Sequence, residues 1–419
     1  MRKATLFLGP ALSCAVILLA SCASVHLPTL PHVSYLYAAS GAAANLPQPT
    51  LTEYRIAADG SLTPVPCAPV ANVQLLALTG ARSLLFASAQ PSGSASSAIS
   101  SYSIASNGCP TLQSTVDATA QGAPFSLFLD RQADTLYSWV WLNSVDTALR
   151  FYTVDASTGA LKFTGEMKNG WPTYLRSIGT SALPAGMLAF SPDDSLAVES
   201  TWAPLDSTGI EVYQRSADGT LHGVNIFPNS PAGGGFAMFA TIGAAADDLG
   251  HFIVAGVVCK QGYSSCPDGP IQLAVYTLDS EHNLNTQSTP QTMATPPSSG
   301  YIEGYAFSPD SRYFAISSGG GIDVYQWDAS TASLHYLNSI TTHGNGFTGE
   351  IVQAFAWDRY DHIIFTTTEY STDGESPDTG QIQIDSVTPS GAVPALGSPY
   401  VLNSPHLLTV VDVPSPSPR

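Results

Sequence analysis

The sequence is short of charge. Charged residues fill 11% of its 419 positions, and cations are the scarcer sign: 14 Lys and Arg against 32 Asp and Glu, for a formal net charge of −18. A chain this poor in Lys and Arg has no electrostatic footprint for a nucleic-acid backbone. Nor does it carry a polybasic face for anionic lipid. Gly233-Gly234-Gly235 and Gly319-Gly320-Gly321 are not followed by Lys-Ser/Thr, so no phosphate loop is spelled out. There is no Gly-x-Ser-x-Gly nucleophile elbow. The cysteines lack the close second pair or nearby histidines that a zinc site needs. No helical periodicity and no long linker interrupts the chain, so a single domain is expected.

What remains is 44% hydrophobic, with 35 Gly and 31 Pro. Low charge with high apolar content excludes disorder. Abundant Gly and Pro point to many short strands joined by turns, an all-β chain. The start reads as an address. Met1-Arg2-Lys3 is basic, an apolar run follows to Leu19, and Leu19-Ala20-Ser21-Cys22 ends it. This is the pattern of an export signal, and its last four residues resemble the lipobox of bacterial lipoproteins. The resemblance implies cleavage after residue 21, lipidation of Cys22, a tether over residues 22–32 and a body at the cell envelope, on the outer membrane or cell surface. Four cysteines remain for an oxidising compartment, and four allow three pairings. Cys259 and Cys266 bracket a short loop and suit a local bridge, which leaves Cys67 for Cys109.

Internal repetition is the strongest signal. One phrase is a strand ending in Tyr-x-apolar before a Gly-bearing turn: Tyr54-Arg55-Ile56, Tyr102-Ser103-Ile104, Tyr152-Thr153-Val154, Tyr213-Gln214-Arg215, Tyr276-Thr277-Leu278 and Tyr325-Gln326-Trp327, with Ile382-Gln383-Ile384 as a degenerate seventh. Asp-Gly and Asn-Gly in those turns suit tight hairpins. A second phrase places a polar turn between two apolar runs, as in Phe190-Ser191-Pro192-Asp193 and Phe307-Ser308-Pro309-Asp310, with weaker copies at Asp130-Arg131, Asp247-Asp248 and Asp358-Arg359. Together they predict four strands per unit and a seven-bladed β-propeller over residues 33–413. Val33–Ser40 has no first strand before it, and 406–413 is a first strand with nothing after it. Pairing the two closes the ring and removes its open edges. Residues 414–419 form a short tail.

These phrases resemble the lactonase-type seven-bladed propellers related to 6-phosphogluconolactonase of the cycloisomerase type. The resemblance implies lactone opening at a His and an Arg just before the first apolar-x-Phe-Ser-Pro-Asp phrase. Here those positions hold Ala185-Gly186-Met187. Five other residues fall where first strands begin or second strands end, at the channel mouth: Glu199, Glu303, Glu350, Glu369 and His406; His343 lies in a nearby loop. Carboxylates and an imidazole converging there would activate water or hold a hard cation, although no ligand spacing marks a metal or cofactor. Two functions stay open. One is a non-catalytic module for an envelope protein or glycan, monomeric and held to the membrane by its lipid; the other is a hydrolase of a sugar lactone or related ester. The missing Arg and His favour the first. Asp193-Asp194 and Asp247-Asp248 are expected to be solvated turn caps.

Overall fold

The computed structural model describes residues 32–40, 51–70, 74–90, 97–117, 123–142, 147–169, 188–201, 209–228, 238–259, 271–286, 291–292, 302–318, 320–342, 349–370 and 379–415. Its sheets are all antiparallel, and seven of them stand around a central channel. Blade 1 spans residues 74–117, blade 2 123–169, blade 3 188–228, blade 4 238–292, blade 5 302–341 and blade 6 349–401. Each has four strands in chain order from the inside out; blades 4 and 6 add a two-residue strand. Blade 7 joins the two ends of the chain. Pro405–Pro414 is its inner strand, followed outwards by His32–Ser40, Leu51–Ile56 and Leu62–Pro64. The predicted closure is therefore present, with His32 opposite Pro414 and Ala39 opposite Leu407.

The core is not one body but seven wedges, one between each pair of neighbouring blades. Alternation along a strand explains this, because successive side chains point to opposite faces. In blade 4, Phe252 and Tyr276 pack on blade 3, while their neighbours Ile253 and Val275 pack on blade 5. A strand with both faces buried must be apolar on both, which is why these segments read as runs. Burial of each large side chain in a wedge is worth about 1.5–3 kcal/mol.

The inner hairpins all turn at the floor of the ring, the end opposite His406. Ser191 and Ser308 cap theirs: each hydroxyl accepts the backbone N–H five residues on, Leu196 at 3.0 Å and Tyr313 at 3.0 Å. Asp193 and Asp310 close the same loops by accepting from those serines at 2.7 and 2.8 Å. The outer hairpins also turn at the floor. Gly108 and Gly219 adopt φ of 87° there, and a Cβ on either would strike the neighbouring blade, at Tyr35 and Thr135 respectively. Only glycine meets both demands. Cys67 and Cys109 are joined, tying the outside of blade 7 to blade 1 across 42 residues of sequence. Closing a loop of that length removes denatured-state entropy worth on the order of 4 kcal/mol. Cys266, Cys22 and the signal segment lie outside the described residues.

Two readings change. Cross-strand register puts Asp385, not an isoleucine, at the tyrosine position of blade 6: Trp357, Ile363 and Asp385 align as Phe307, Phe314 and Tyr325 do in blade 5. Asp194 and Asp247 are not solvated; both are buried. Asp194 accepts the backbone N–H groups of Arg131 and Gln132 in blade 2 at 2.9 and 2.8 Å. Asp247 takes the serine position of blade 4, and its second oxygen reaches the indole N–H of Trp327 in blade 5 at 3.0 Å. A carboxylate has one oxygen more than a serine, and that oxygen is used to staple the next blade.

Candidate functional site

The channel is lined by inner strands, and a β-bulge recurs near the mouth of each one described there. Register skips one residue at Leu76 in blade 1, Phe125 in blade 2, Ile242 in blade 4, Glu303 in blade 5, Gln353 in blade 6 and His406 in blade 7. Each stands four residues before the position aligned with Phe190. A bulge turns its extra residue out of the ladder and re-aims it. Blade 3's counterpart, Gly186, lies outside the described residues. Leu76, Phe125, Gln353 and His406 are half-buried, and all four line a cavity in the channel with a free volume of about 120 Å³. That space holds several waters. Ser126, Leu127, Tyr305, Phe355 and Leu407 complete much of its wall.

His406 is the polar centre of this wall. Its Nε2 lies 3.2 Å from the Leu75 carbonyl oxygen, so Nε2 carries the hydrogen and donates. Nδ1 is then an acceptor, and it is buried without a hydrogen-bond partner. Burial holds the imidazole below its usual pKa, against the opposing pull of the Leu75, Ser404 and Ala39 backbone. The ring is neutral, and its Nδ1 is closed off from solvent.

Glu199, Glu350 and Glu369 do not gather around it. Glu199 lies fully buried in the wedge between blades 2 and 3. The Tyr213 hydroxyl is 2.8 Å from its Oε2 and also touches Oε2 of Glu211, the residue opposite Glu199 in register. One phenol has one hydrogen, so it donates to one carboxylate and accepts from the other, which must be protonated. Burial pushes Glu199 up to about 8, reinforced by the Glu211 charge. The proton therefore sits on Glu199 at neutral pH: Glu199 donates to Tyr213, and Tyr213 donates to Glu211.

Glu350 and Glu369 are brought together as a cross-strand pair in blade 6. Glu350 Oε1 accepts from Thr367 Oγ1 at 2.7 Å, from Gln383 Nε2 at 2.7 Å and from Gln381 Nε2. Glu369 is exposed and accepts from Thr379 Oγ1 at 3.2 Å. Neither lines the cavity. Glu303 occupies its bulge position; its side chain, like all of His343, lies outside the described residues. Gln353 and Phe125 were not singled out from the sequence. Their signal is spacing: each precedes its blade's Phe190-equivalent by four, as His406 precedes Val410.

No protein-family model and no curated protein matches the sequence. Solved structures do. A periplasmic gluconolactonase of Pseudomonas aeruginosa superposes with a TM-score of 0.64 at 15% identity, covering 91% of this chain and 100% of its own. A Bacteroides uniformis protein provisionally named a 6-phosphogluconolactonase gives 0.62 at 13%, covering 91% and 99%. Its Bacteroides fragilis counterpart, provisionally named likewise, gives 0.61 at 14%, covering 91% and 98%. The chain thus shares the seven-bladed fold of these lactonase-like propellers.

Proposed function

We propose that this protein is an exported, lipid-anchored binding propeller that takes a ligand at the mouth of its channel. The observation that carries this reading is the dispersal of the carboxylates. Lactone hydrolysis calls for an acid and a base held at one reacting centre. Glu199 is sealed in a wedge by Tyr213, Glu350 is occupied by three donors, and Glu369 is on the rim. The cavity instead has the make-up of a recognition site, an apolar wall with a few placed polar groups. Export is supported by the Leu19-Ala20-Ser21-Cys22 pattern and by the Cys67–Cys109 bond, which suits an oxidising compartment.

Hydrolysis of a sugar lactone is the second reading. It is favoured by the placement of Glu303 and His406 in the same bulge ring and by the names of the structural neighbours. The two separate on one assay. The folded body should leave glucono-δ-lactone at its spontaneous hydrolysis rate. Turnover that falls in both Glu303→Gln and His406→Asn would replace binding with catalysis. Incorporation of labelled fatty acid, lost in Cys22→Ala, checks the anchor.

A further inference from the structure

Blade 6 differs from its neighbours at the floor. The outer hairpins of blades 2, 3, 4, 5 and 7 carry Asp155, Asp218, Asp279, Asp328 and Asp59 there, whereas blade 6 turns through Pro389-Ser390-Gly391 with no carboxylate. It exposes apolar side chains instead. Val393 is 54% and Leu396 74% exposed, and Tyr360, at the tip of the inner hairpin of the same blade, is 38% exposed. We propose that this lower corner of blade 6 is a lipid-docking face, with Tyr360, Val393 and Leu396 seated in the headgroup layer of the membrane that holds Cys22. The inference rests on the lipid-anchored reading and names the face that meets the bilayer.

Three observations point the same way. The first is where the chain enters the body. His32 stands opposite Pro414, at the floor end of blade 7. Ten residues of chain run from Cys22 to His32, a reach of about 33–36 Å at full stretch. The inner strand Pro405–Pro414 is itself ten residues long, or about 33 Å. A tether leaving the floor is therefore spent before it passes the mouth, and an anchored ring keeps its floor towards the lipid. The second is that the corner lies beside this exit and is held in shape. Ala395 packs on the outer hairpin of blade 7, where a Cβ on Gly60 would come within 2.7 Å of it. The Ala395 N–H donates to the Ile384 carbonyl at 2.8 Å, Ser398 Oγ accepts from the Ile384 N–H at 3.0 Å, and Tyr400 Oη accepts from the Leu62 N–H of blade 7 at 2.9 Å. Leu396 is carried outwards on a loop pinned from both sides. The third is charge. A chain of net charge −18 is repelled by anionic lipid wherever it presents carboxylates, and blade 6 withholds them. Adjoining Asp59 is turned onto the backbone N–H and hydroxyl of Ser61, at 3.0 and 2.7 Å. The Arg359 guanidinium stands 5.7 Å from the centre of the Tyr360 ring, and an aromatic ring beside a cation suits the membrane interface. Leu249 of blade 4 is 70% exposed, but it shares its floor with Asp248 and Asp279 and stands three blades from the tether.

The test has two readouts. One is hydrogen exchange of the mature chain on phosphatidylcholine vesicles, compared with the full chain carrying Cys22→Ala free in buffer. Amides of residues 390–397 should exchange at least about threefold more slowly on the vesicles, while those of 405–409 at the mouth keep their rate. The other is flotation of the Cys22→Ala chain with the same vesicles. The floated fraction should fall at least about threefold when Val393→Asp and Leu396→Asp are added together. It should hold in Leu112→Asp, which changes a leucine 57% exposed on the outer strand of blade 1. All three positions are exposed, so an unmoved melting temperature separates lost contact from lost fold. Unchanged exchange at 390–397 on the vesicles, or flotation indifferent to Val393→Asp with Leu396→Asp, would overturn the assignment. So would slowing at 390–397 that appears in buffer alone and grows with protein concentration, which would give the corner to a second copy of the chain. Failure of the anchor shows separately: a wild-type chain without lipid floats no better than Cys22→Ala, whatever the corner does.

Discussion

The floor and the wedges treat the same side chain in opposite ways. On the floor, Asp59, Asp155, Asp218, Asp279 and Asp328 sit in outer hairpins and accept hydrogen bonds from hydroxyl or backbone groups two to four residues on. Those bonds lower their pKa values, Asp155 to about 2. In the wedges, burial raises Glu53 to about 7, Glu199 to about 8 and Asp385 to about 6. The lesson is that the balance of burial against local donors, not chemical type, decides the sign: Asp194 accepts two backbone N–H groups and is still raised by burial. An exposed carboxylate ringed by donors is an anion and shapes a turn. A carboxylate walled by hydrocarbon is an acid and threads between blades.

The comparison is broken most severely at the buried carboxylate that does have a cation. Asp130 in blade 2 is buried and pairs with Arg215 of blade 3, which also donates to Thr135 Oγ1 at 2.7 Å and Tyr137 Oη at 3.1 Å. Arg215→Met should cost about 3–5 kcal/mol by denaturant melts, because it strands a charge. Arg215→Met together with Asp130→Asn should recover part of the loss.

The next test is the pH profile. The wedge acids have folded pKa values above the ordinary carboxylate range, so the folded state binds more protons than the unfolded one. Their contribution is complete in acid and is lost as pH climbs through about 6, 7 and 8. The melting temperature should therefore fall between pH 5 and pH 8.5. Glu199→Gln keeps a donor for Tyr213 and cannot ionise. It should remove a slope worth roughly 3 kcal/mol over that range. If wild type and Glu199→Gln run parallel in pH, the Glu199–Tyr213–Glu211 proton chain is wrong.

Floor aspartates carry the reverse sign. Their stabilisation is present above the ordinary carboxylate pKa and is lost only as pH falls towards about 2 for Asp155. Asp155→Ala should lower the melting temperature by about 1–2 °C and leave the slope above pH 5 untouched. Smallest of all is the exposed pair Arg82–Asp134, 3.3 Å apart with both side chains about half exposed. A double-mutant cycle should return less than about 1 kcal/mol and shrink further in salt.

These differences explain what could be read beforehand. Ring closure was legible because two half-blades at the ends of the chain complement each other, and a strand edge left open is costly. The hairpins were legible because Asp-Gly and Ser-Pro-Asp are local solutions to a local problem. Glu199 was not. Its strand position suggested the channel mouth, but whether a side chain faces the channel or a wedge depends on the Tyr213 and Leu188 faces of the same sheet, which pack on blade 2. Asp385 was hidden for a similar reason: blade 6 has a hairpin one residue shorter than blade 5, which shifts the register under an isoleucine-rich phrase. The bulges were invisible one at a time and plain only when all the inner strands were aligned.

Ring closure also fixes an order of events. Ser34 and Asp412 are hydrogen-bonded at 2.5 Å across a separation of 378 residues. No pairing that distant can form until nearly the whole chain has been synthesised and delivered. Blades 1 to 6 can each zip locally, but the first strand to emerge must remain without its inner partner until the last one arrives. Such non-local pairing is slow. Under the export proposed above, that delay is useful: a chain still being threaded through the membrane cannot lock its ring before the last strand has followed.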